Sequence, residues 1–180
     1  HYEIHTPTVS YHQHSNDGKK ADILRDLVMG KNLALVTDAG TPGISDPGNE
    51  LIQYILEAEP LINIVPIPGA SALTTALSIS GFRTDKFLFL GFMPKKGKTK
   101  LFKLVKEGEI PFVFYESPHR IIKTLKTLQE ELGIETEVVV ARELTKMHES
   151  IYRGKVGEVI INLEESVLKG EIVVVVNLGK

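Results

Sequence analysis

The stretch that decides the fold reads Thr37-Asp38-Ala39-Gly40-Thr41-Pro42-Gly43-Ile44-Ser45-Asp46-Pro47-Gly48. It follows an apolar run, Leu33 to Val36, which predicts a buried strand that ends at Thr37 and Asp38. Open α/β sheets bind their ligands at the carboxyl ends of such strands. Two prolines and three glycines give the stretch a tight, winding backbone that exposes N–H and C=O groups to a small ligand.

The carboxylates of this loop indicate what kind of ligand it binds. Asp38 and Asp46 can accept hydrogen bonds from an amine or from ribose hydroxyls. A pyrophosphate would instead require glycines spaced at a helix start, with no carboxylate facing it. We therefore expect a zwitterionic nucleoside, and a turn that is rigid for stability alone is the alternative.

A second loop, Pro66-Ile67-Pro68-Gly69-Ala70-Ser71-Ala72, has the same position between a strand and a helix. It ends a predicted strand at 63–67 and opens a helix of small residues at 70–80. Small side chains allow a ligand to approach the backbone closely, although close packing of helices explains them equally well. Together with the first loop, it forms the predicted wall of a pocket.

Apolar runs alternate with helical patterns along the whole chain, which predicts α/β architecture with a mostly parallel sheet. The further strands are predicted at 86–92, 111–116, 136–142 and 171–178, and the further helices at 19–29, 49–57, 99–106, 119–132 and 157–163. Four consecutive valines, Val173 to Val176, suit a central strand covered on both faces. The polar, glycine-containing segment 80–85 is the best internal boundary, so we expect α/β domains at 1–84 and 85–180.

Composition narrows the class of protein. The 180 residues are 42% hydrophobic, carry a formal net charge of -2 and include no cysteine. Disulfides and thiolate zinc sites are therefore excluded, and a cytoplasmic enzyme is expected. No apolar run reaches the roughly 18 residues that a membrane helix needs. The chain opens at His1, and the alternation from Tyr2 to His5 suggests a strand entered partway through a protein; a cleaved or tag-derived start is the alternative.

Further motifs follow the two loops in a fixed order. They are Gly91-Phe92-Met93-Pro94, Phe114-Tyr115-Glu116-Ser117-Pro118-His119-Arg120, Ala141-Arg142-Glu143-Leu144-Thr145-Lys146 with Glu149 after it, and Gly170-Glu171. With the loops, this series resembles the tetrapyrrole methylase superfamily over essentially the whole chain. Within that superfamily it is most similar to the ribosomal small-subunit RNA (cytidine-2'-O-)methyltransferase family.

The resemblance implies a class III methyltransferase with two α/β domains, usually a homodimer, that binds S-adenosylmethionine in the cleft between its domains. By this resemblance, the cofactor would be bound by Asp38, Ala39, Gly40, Thr41, Pro42, Pro68, Gly69, Ala70, Ser71, Ala72, Tyr115, Glu116, Ser117, Ala141 and Arg142. The first loop adds Ser45 and Asp46 to these candidates. The family also opens with a strand and a glycine-containing loop that complete the pocket, and we expect these to be missing from this sequence.

Removal of a proton from a ribose hydroxyl calls for a base, or for a cation that stabilises the developing alkoxide. The candidate catalytic residues are His12, His14, Glu116, Arg142, Glu143 and Lys146. A histidine pair spaced by two on an extended segment presents both rings on one face, which suits a site and equally suits a solvent-exposed face. No third metal ligand is evident beside that pair, so no metal is expected. Arg142 and Glu143 can alternatively form an ion pair with each other, and Glu116 has a similar alternative.

In the family's histidine-rich stretch an asparagine-glutamate pair follows the second histidine, and Ser15-Asn16 departs from that pattern.

A lysine cluster gives the clue to the substrate. Its members are Lys95, Lys96, Lys98, Lys100, Lys103 and Lys106. Such segregated positive charge fits an arm that contacts phosphates, although an ordinary solvated helix face is the alternative. With the family resemblance, we expect 2'-O-methylation of a cytidine in 16S rRNA within the small ribosomal subunit, with Lys95, Lys96, Lys98, Lys100 and Lys103 on the RNA. A tetrapyrrole C-methylase and a non-catalytic RNA- or nucleotide-binding module are the other hypotheses.

Overall fold

The computed structural model describes residues 3–12 and 15–179. The chain divides into two compact units, His1–Ala70 and Ser71–Lys180. The predicted boundary between Thr84 and Asp85 lies inside the second unit, and the domain assignment stays a prediction.

The first unit contains two helices among its described residues, α1 (Asp17–Val28) and α2 (Asn49–Ala58). The side chain of Asn16 caps α1, because its Oδ1 accepts a hydrogen bond from the N–H of Lys19 at 3.0 Å. Leu51 and Ile55, four residues apart and therefore on one face of α2, are the buried residues of that helix. Both helices match the predicted ones to within a few residues.

The predicted strands of the first unit are wrong for this structure. Residues 31–37 and 63–70 form no β-ladder with any described segment. Leu33 and Val36 are 49% and 79% exposed, and Ile67 is 77% exposed, so the predicted burial also fails. An apolar run predicts that a segment can be buried, but a strand forms only where a second strand hydrogen-bonds to it, and the described part of this unit supplies none. The predicted opening strand fails in the same way at Ile4, which lies outside any strand and is 75% exposed, while its first residue, Tyr2, lies outside the described residues.

The second unit contains five strands and four helices among its described residues. In chain order they are α3 (Ala72–Ser78), β1 (Leu88–Phe92), α4 (Lys98–Glu107), β2 (Phe112–Glu116), α5 (Ile121–Leu132), β3 (Glu137–Arg142), β4 (Ser150–Lys155), α6 (Val156–Glu164) and β5 (Ile172–Val176). All but β4 were predicted. Its sequence, Ser-Ile-Tyr-Arg-Gly-Lys, is polar and contains a glycine, so it lacks the apolar run of a buried strand.

The sheet of the second unit has the order β1-β2-β5-β3-β4. Among these described strands only β1 and β2 pair in parallel, whereas β2 with β5, β5 with β3 and β3 with β4 are antiparallel. The prediction of a mostly parallel sheet is therefore wrong, because an apolar run shows that both faces of a strand are covered but not which way the strand runs. The central position of β5 is confirmed, with all five of its residues buried.

Two apolar clusters cover the two faces of this sheet. The larger one contains Phe112 and Phe114 of β2 and Val138 and Val140 of β3, with buried residues of α4, α5 and α6 packed on them. The smaller one contains the alternate strand residues, such as Val139 and Ala141, with Ala76 and Leu77 of α3. Side chains alternate along a strand, so each strand contributes to both clusters. We call the first the α4–α6 face and the second the α3 face.

No helix among the described residues is long and apolar enough to cross a membrane.

Substitution of a residue in the larger cluster tests this core. Leu125 of α5 is fully buried, whereas Leu104 of α4 is 65% exposed. We expect Leu125→Ala to lower the free energy of unfolding by about 2–5 kcal/mol, because it leaves a cavity in a packed interior. Leu104→Ala, the matched control, should change it by less than about 0.5 kcal/mol. Urea titration followed by circular dichroism measures both, and equal decreases would contradict the assigned core.

Candidate functional site

The first loop, residues 37–48, is held by its own backbone and by α2. The Thr37 hydroxyl donates to the Ala39 carbonyl at 3.2 Å, and the Ile44 N–H donates to the Thr41 carbonyl at 3.3 Å. Gly43 is buried with a φ of 83°, and a Cβ there would overlap the side chain of Asn49, the first residue of α2. The loop therefore takes a conformation that only glycine allows at this point.

The predicted cofactor-binding end of this loop is open. Asp38, Ala39 and Gly40 are exposed, and a Cβ on Gly40 would meet no atom within 4 Å. Thr41, Pro42 and Asp46 are half-buried, and Ser45 is exposed with a φ of 58°. Within the described part of the chain, no cation lies within ion-pair distance of Asp38. Its carboxylate is thus free to accept hydrogen bonds from a ligand.

The second loop is exposed from Pro66 to Ala70 and lacks a β-ladder. Ser71 occupies the N-cap position of α3 in the second unit, and its carbonyl accepts hydrogen bonds from the hydroxyls of Thr75 at 2.8 Å and Thr74 at 3.3 Å. A Cβ on Gly69 would again meet open space. The loop has the accessible backbone that its sequence predicts.

Four of the predicted residues of the second unit lie in two rows across β5. Glu116 of β2 and Arg142 of β3 both pair with Ile172. Tyr115 and Ala141 both pair with Val173, one step along β5. Because side chains alternate, Glu116 and Arg142 belong to the α4–α6 face, whereas Tyr115 and Ala141 belong to the α3 face. These residues therefore lie at the same end of the central strands, with one pair on each face of the sheet.

Glu116 is buried and fully engaged with the protein. Its Oε1 accepts from the N–H of Ser117 at 2.8 Å, its Oε2 accepts from the Thr124 hydroxyl at 2.6 Å, and the Arg120 guanidinium lies 3.2 Å away. Arg120 in turn donates to the carbonyl of Met93 at 2.6 Å. Oε2 thus joins β2 to α5 through Thr124, and its pairing with Arg120 is the ion-pair alternative for this residue. A catalytic Glu116 stays a prediction.

Glu143 pairs with Lys146 and not with Arg142, the partner that the sequence suggested. The Lys146 ammonium donates to Glu143 at 3.0 Å and to Glu171 at 3.0 Å, and the Glu171 N–H donates to Glu143 at 2.8 Å. A Cβ at Gly170 would overlap the Glu143 carboxyl group, so glycine is needed there. The hydrogen bond from the Glu171 N–H, followed by that from Lys146, lowers the pKa of Glu143. The two carboxylates raise the pKa of Lys146, which stays a cation at neutral pH.

The histidine segment is only partly described. His12 is exposed, its N–H donates to the Ser15 hydroxyl at 2.9 Å, and its carbonyl accepts from the Ser15 N–H at 2.8 Å. His14 lies outside the described residues. The departure from the family pattern at Ser15-Asn16 therefore has a structural use, because Ser15 closes a turn and Asn16 caps α1.

The structure divides the lysine cluster. Lys103 lies 3.7 Å from the Glu131 carboxylate of α5, and Lys106 donates to the Glu131 carbonyl at 3.0 Å. Lys95, Lys96, Lys98 and Lys100 have no carboxylate within ion-pair distance among the described residues. Burial lowers the pKa of Lys98, and the nearby charges of Arg120 and Lys123 lower it further, against the charge of Glu116.

Sequence reasoning missed Arg120, Thr124 and Lys123 as parts of these surroundings. The spacing of Glu116 and Arg120 was no signal for their pairing, because Glu116 ends β2 and Arg120 precedes α5, so the spacing rule for a helix does not apply. Across the described ranges, no group of three or more histidine, aspartate or glutamate side chains is arranged to hold a metal ion.

The chain is similar in sequence to a family of known proteins. The family described as Tetrapyrrole (Corrin/Porphyrin) Methylases matches residues 2–160. A protein of Synechocystis sp. named ribosomal RNA small subunit methyltransferase I is 46% identical over 98% of this chain and 63% of its own length. A protein of the same name from Thermotoga maritima is 41% identical over 98% of this chain and 78% of its own length. The chain thus spans less than two thirds of the length of the Synechocystis protein.

A solved structure shares the fold. The uroporphyrin-III C-methyl transferase of Thermus thermophilus, complexed with S-adenyl homocysteine, covers 88% of this chain, and 74% of that protein is covered in return. Its TM-score is 0.57 at 15% sequence identity, so the likeness concerns the fold alone. The α/β architecture of this kind is therefore confirmed.

The Glu143–Lys146 pair predicts a dependence of stability on pH. Because the pKa of Glu143 is lower in the folded state, the pair stabilises the fold above the ordinary glutamate pKa. That stabilisation disappears as the pH falls through the lowered folded value. We expect Glu143→Gln to lose less stability than the unchanged chain between neutral pH and about pH 3.

Thermal unfolding at several pH values measures this difference. Glu165→Gln is the matched control, because Glu165 is exposed and no cation among the described residues pairs with it. A parallel decrease of stability in Glu143→Gln and the unchanged chain would contradict the assigned pair.

Proposed function

The chain belongs to the tetrapyrrole (corrin/porphyrin) methylase family, and from that premise we propose that it transfers a methyl group from S-adenosylmethionine to a cytidine 2'-hydroxyl of 16S rRNA. The observation that carries the proposal is the 46% identity, over 98% of this chain, to a protein named ribosomal RNA small subunit methyltransferase I. The acceptor class, RNA in the small ribosomal subunit, follows from that name. The cytidine and its 2'-oxygen follow from the family that the motifs resemble.

The two loops have the chemistry to hold the cofactor. S-adenosylmethionine supplies a sulfonium-bound methyl group as the electrophile. The Asp38 carboxylate is exposed and unpaired within the described residues, so it can accept hydrogen bonds from ribose hydroxyls or from the cofactor's amine. The open space over Gly40 and Gly69 lets a ligand approach both backbones closely.

The charges of the second unit suggest how the acceptor oxygen is activated. The raised pKa of Lys146 keeps its ammonium charged, so it cannot remove a proton at neutral pH. A fixed cation instead stabilises the alkoxide that develops as the ribose hydroxyl loses its proton. We assign this role to Lys146 and a positioning role to Glu143, which holds the ammonium at 3.0 Å. His12 and His14 are the candidates for the base.

The lysines without carboxylate partners are the proposed contacts with RNA. Lys95, Lys96, Lys98 and Lys100 lie before or at the start of α4, and the charges of Arg120 and Lys123 add to the positive potential at Lys98. A phosphate there would relieve the repulsion between these cations. Since ribosomal subunits are its proposed substrate, we further propose that the protein acts in the cytoplasm, as a homodimer like the family that it resembles.

Asp38→Ala tests the reaction and the cofactor site together. We expect S-adenosylmethionine to bind about 10- to 100-fold more weakly, because a charge-assisted hydrogen bond is removed. Glu59→Ala, an exposed carboxylate of the same unit, is the control. Binding is measured by calorimetry, and transfer by radiolabel from the cofactor to small ribosomal subunits. Label on uroporphyrinogen but not on the subunits would replace the RNA proposal with tetrapyrrole methylation, and label on neither would contradict both.

The lysine assignment predicts a change in salt dependence. The double variant Lys95→Gln, Lys96→Gln should bind RNA more weakly. Its plot of log affinity against log salt should fall less steeply, by about 0.7 in slope for each phosphate that the protein no longer neutralises. Lys103→Gln is the matched control, because that ammonium already faces Glu131. Filter binding at several salt concentrations measures the slopes, and equal effects of the two sets would indicate a merely solvated helix.

A further inference from the structure

A cavity of about 430 Å³ lies at the end of β3 in the second unit. Its lining combines basic, hydroxyl and apolar side chains, which are Arg142, His148, Tyr152, Ser166, Val167 and Lys169. It belongs to the α4–α6 face of the sheet, because Tyr152 packs against that cluster and Arg142 follows Val140 by two residues. This face is opposite to the one that carries Tyr115 and Ala141.

The guanidinium of Arg142 is fixed in this cavity by neutral acceptors. It donates to the carbonyl of Lys169 at 3.3 Å, to the carbonyl of His148 at 3.0 Å and to the Ser150 hydroxyl at 3.0 Å. An arginine has five N–H groups, and Nε of Arg142 is buried without a hydrogen-bond partner in the described structure. The cation is therefore positioned, and one N–H of its Nη1 is left without an acceptor, besides the buried Nε.

No described carboxylate lies within ion-pair distance of a cationic side chain of this cavity. Arg142, His148 and Lys169 form no ion pair with any described residue. The nearby carboxylates of Glu143 and Glu171 both contact Lys146, and the charge of Arg142 reaches Glu143 only at longer range, where it helps to lower the pKa of Glu143. A half-buried cation that no carboxylate contacts gains from an anion that completes its surroundings.

The hydroxyl groups of the cavity have no proton left to donate to a ligand. The Tyr152 hydroxyl donates to the Ser166 hydroxyl at 2.9 Å, which donates in turn to the Asn162 carbonyl at 2.7 Å. Both protons are used within the protein, so the unused donors of the cavity belong to its cationic side chains. The ligand must accordingly accept hydrogen bonds and carry negative charge.

We propose that this cavity binds the phosphate group of a nucleotide, with Arg142 and Lys169 as its charged ligands. A planar guanidinium beside an ammonium matches the charge and the several acceptor oxygens of a phosphate. The volume lies in the range of ligand sites and exceeds that of a phosphate alone, so a sugar can rest against Tyr152 and Val167. The site lies entirely within the second unit and does not depend on the proposed transfer reaction.

Calorimetric titration with inorganic phosphate and with cytidine 5'-monophosphate tests the site. Lys169→Gln should weaken binding of both by about tenfold, and Arg142→Lys by about tenfold or more, because each removes charge-assisted hydrogen bonds. Lys86→Gln is the matched control, since Lys86 is exposed and has no ion pair among the described residues. Lys169→Gln still decides the outcome if Arg142→Lys misfolds, because the Lys169 ammonium has no hydrogen bond or ion pair within the described ranges.

Two further titrations separate the sources of the phosphate. If Lys169→Gln also weakens binding of an RNA oligonucleotide, the cavity takes phosphates of an RNA chain; if only the mononucleotide is affected, it takes a free nucleotide. Either result supports the site. Absence of phosphate binding, an equal effect of Lys86→Gln, or displacement of phosphate by S-adenosylhomocysteine overturns it.

Discussion

Alternation of side chains around β5 is the constraint on which the rest of the second unit depends. β5 is hydrogen-bonded to β2 on one side and to β3 on the other, and Ile172 stands opposite both Glu116 and Arg142. Those two polar residues must therefore share a face, and their neighbours Tyr115 and Ala141 must share the other. The motifs in which they occur supply residues to two separate environments, one for each face of the sheet.

This separation explains why the polar residues of the α4–α6 face have such different surroundings. Glu116 lies inside the cluster and is satisfied by the N–H of Ser117, by Thr124 and by Arg120. Arg142 lies at the rim, where carbonyls hold its guanidinium and no described carboxylate is in contact with it. A buried charge with a full set of partners is tolerated in a packed core and is costly to leave unpaired, whereas a positioned charge with donors to spare is suited to bind a ligand.

Much of the fold could be predicted from the sequence, because helices and central strands are encoded by local patterns. The four valines of β5 indicated a strand covered on both faces, and the helical pattern at 119–132 predicted α5. The direction of β5 and the presence of β4 could not be predicted, since both depend on pairing with distant strands. In the first unit, Leu33 and Val36 have the composition of a buried strand but no described partner, so composition alone misled.

For the candidate site, the conformation of the loops could be predicted from the sequence, and the partners of its charged residues could not. The glycines and prolines of residues 37–48 indicated an exposed, winding backbone, and the structure has it at Asp38 to Gly40 but buries Gly43 and Gly48. The ion pairs could not be predicted, because Lys146 bridges Glu143 to Glu171, a residue that lies far along the chain.

The central position of β5 also affects how the chain folds during its synthesis. During synthesis on a ribosome, β1, β2 and β3 emerge before the strand that must lie between β2 and β3. Until residues 172–176 leave the exit tunnel, the facing edges of β2 and β3 have no partner, and contacts of such long sequence separation form slowly. The nascent chain therefore passes through a stage with exposed, apolar strand edges, and a chaperone that covers them would raise the yield of native protein.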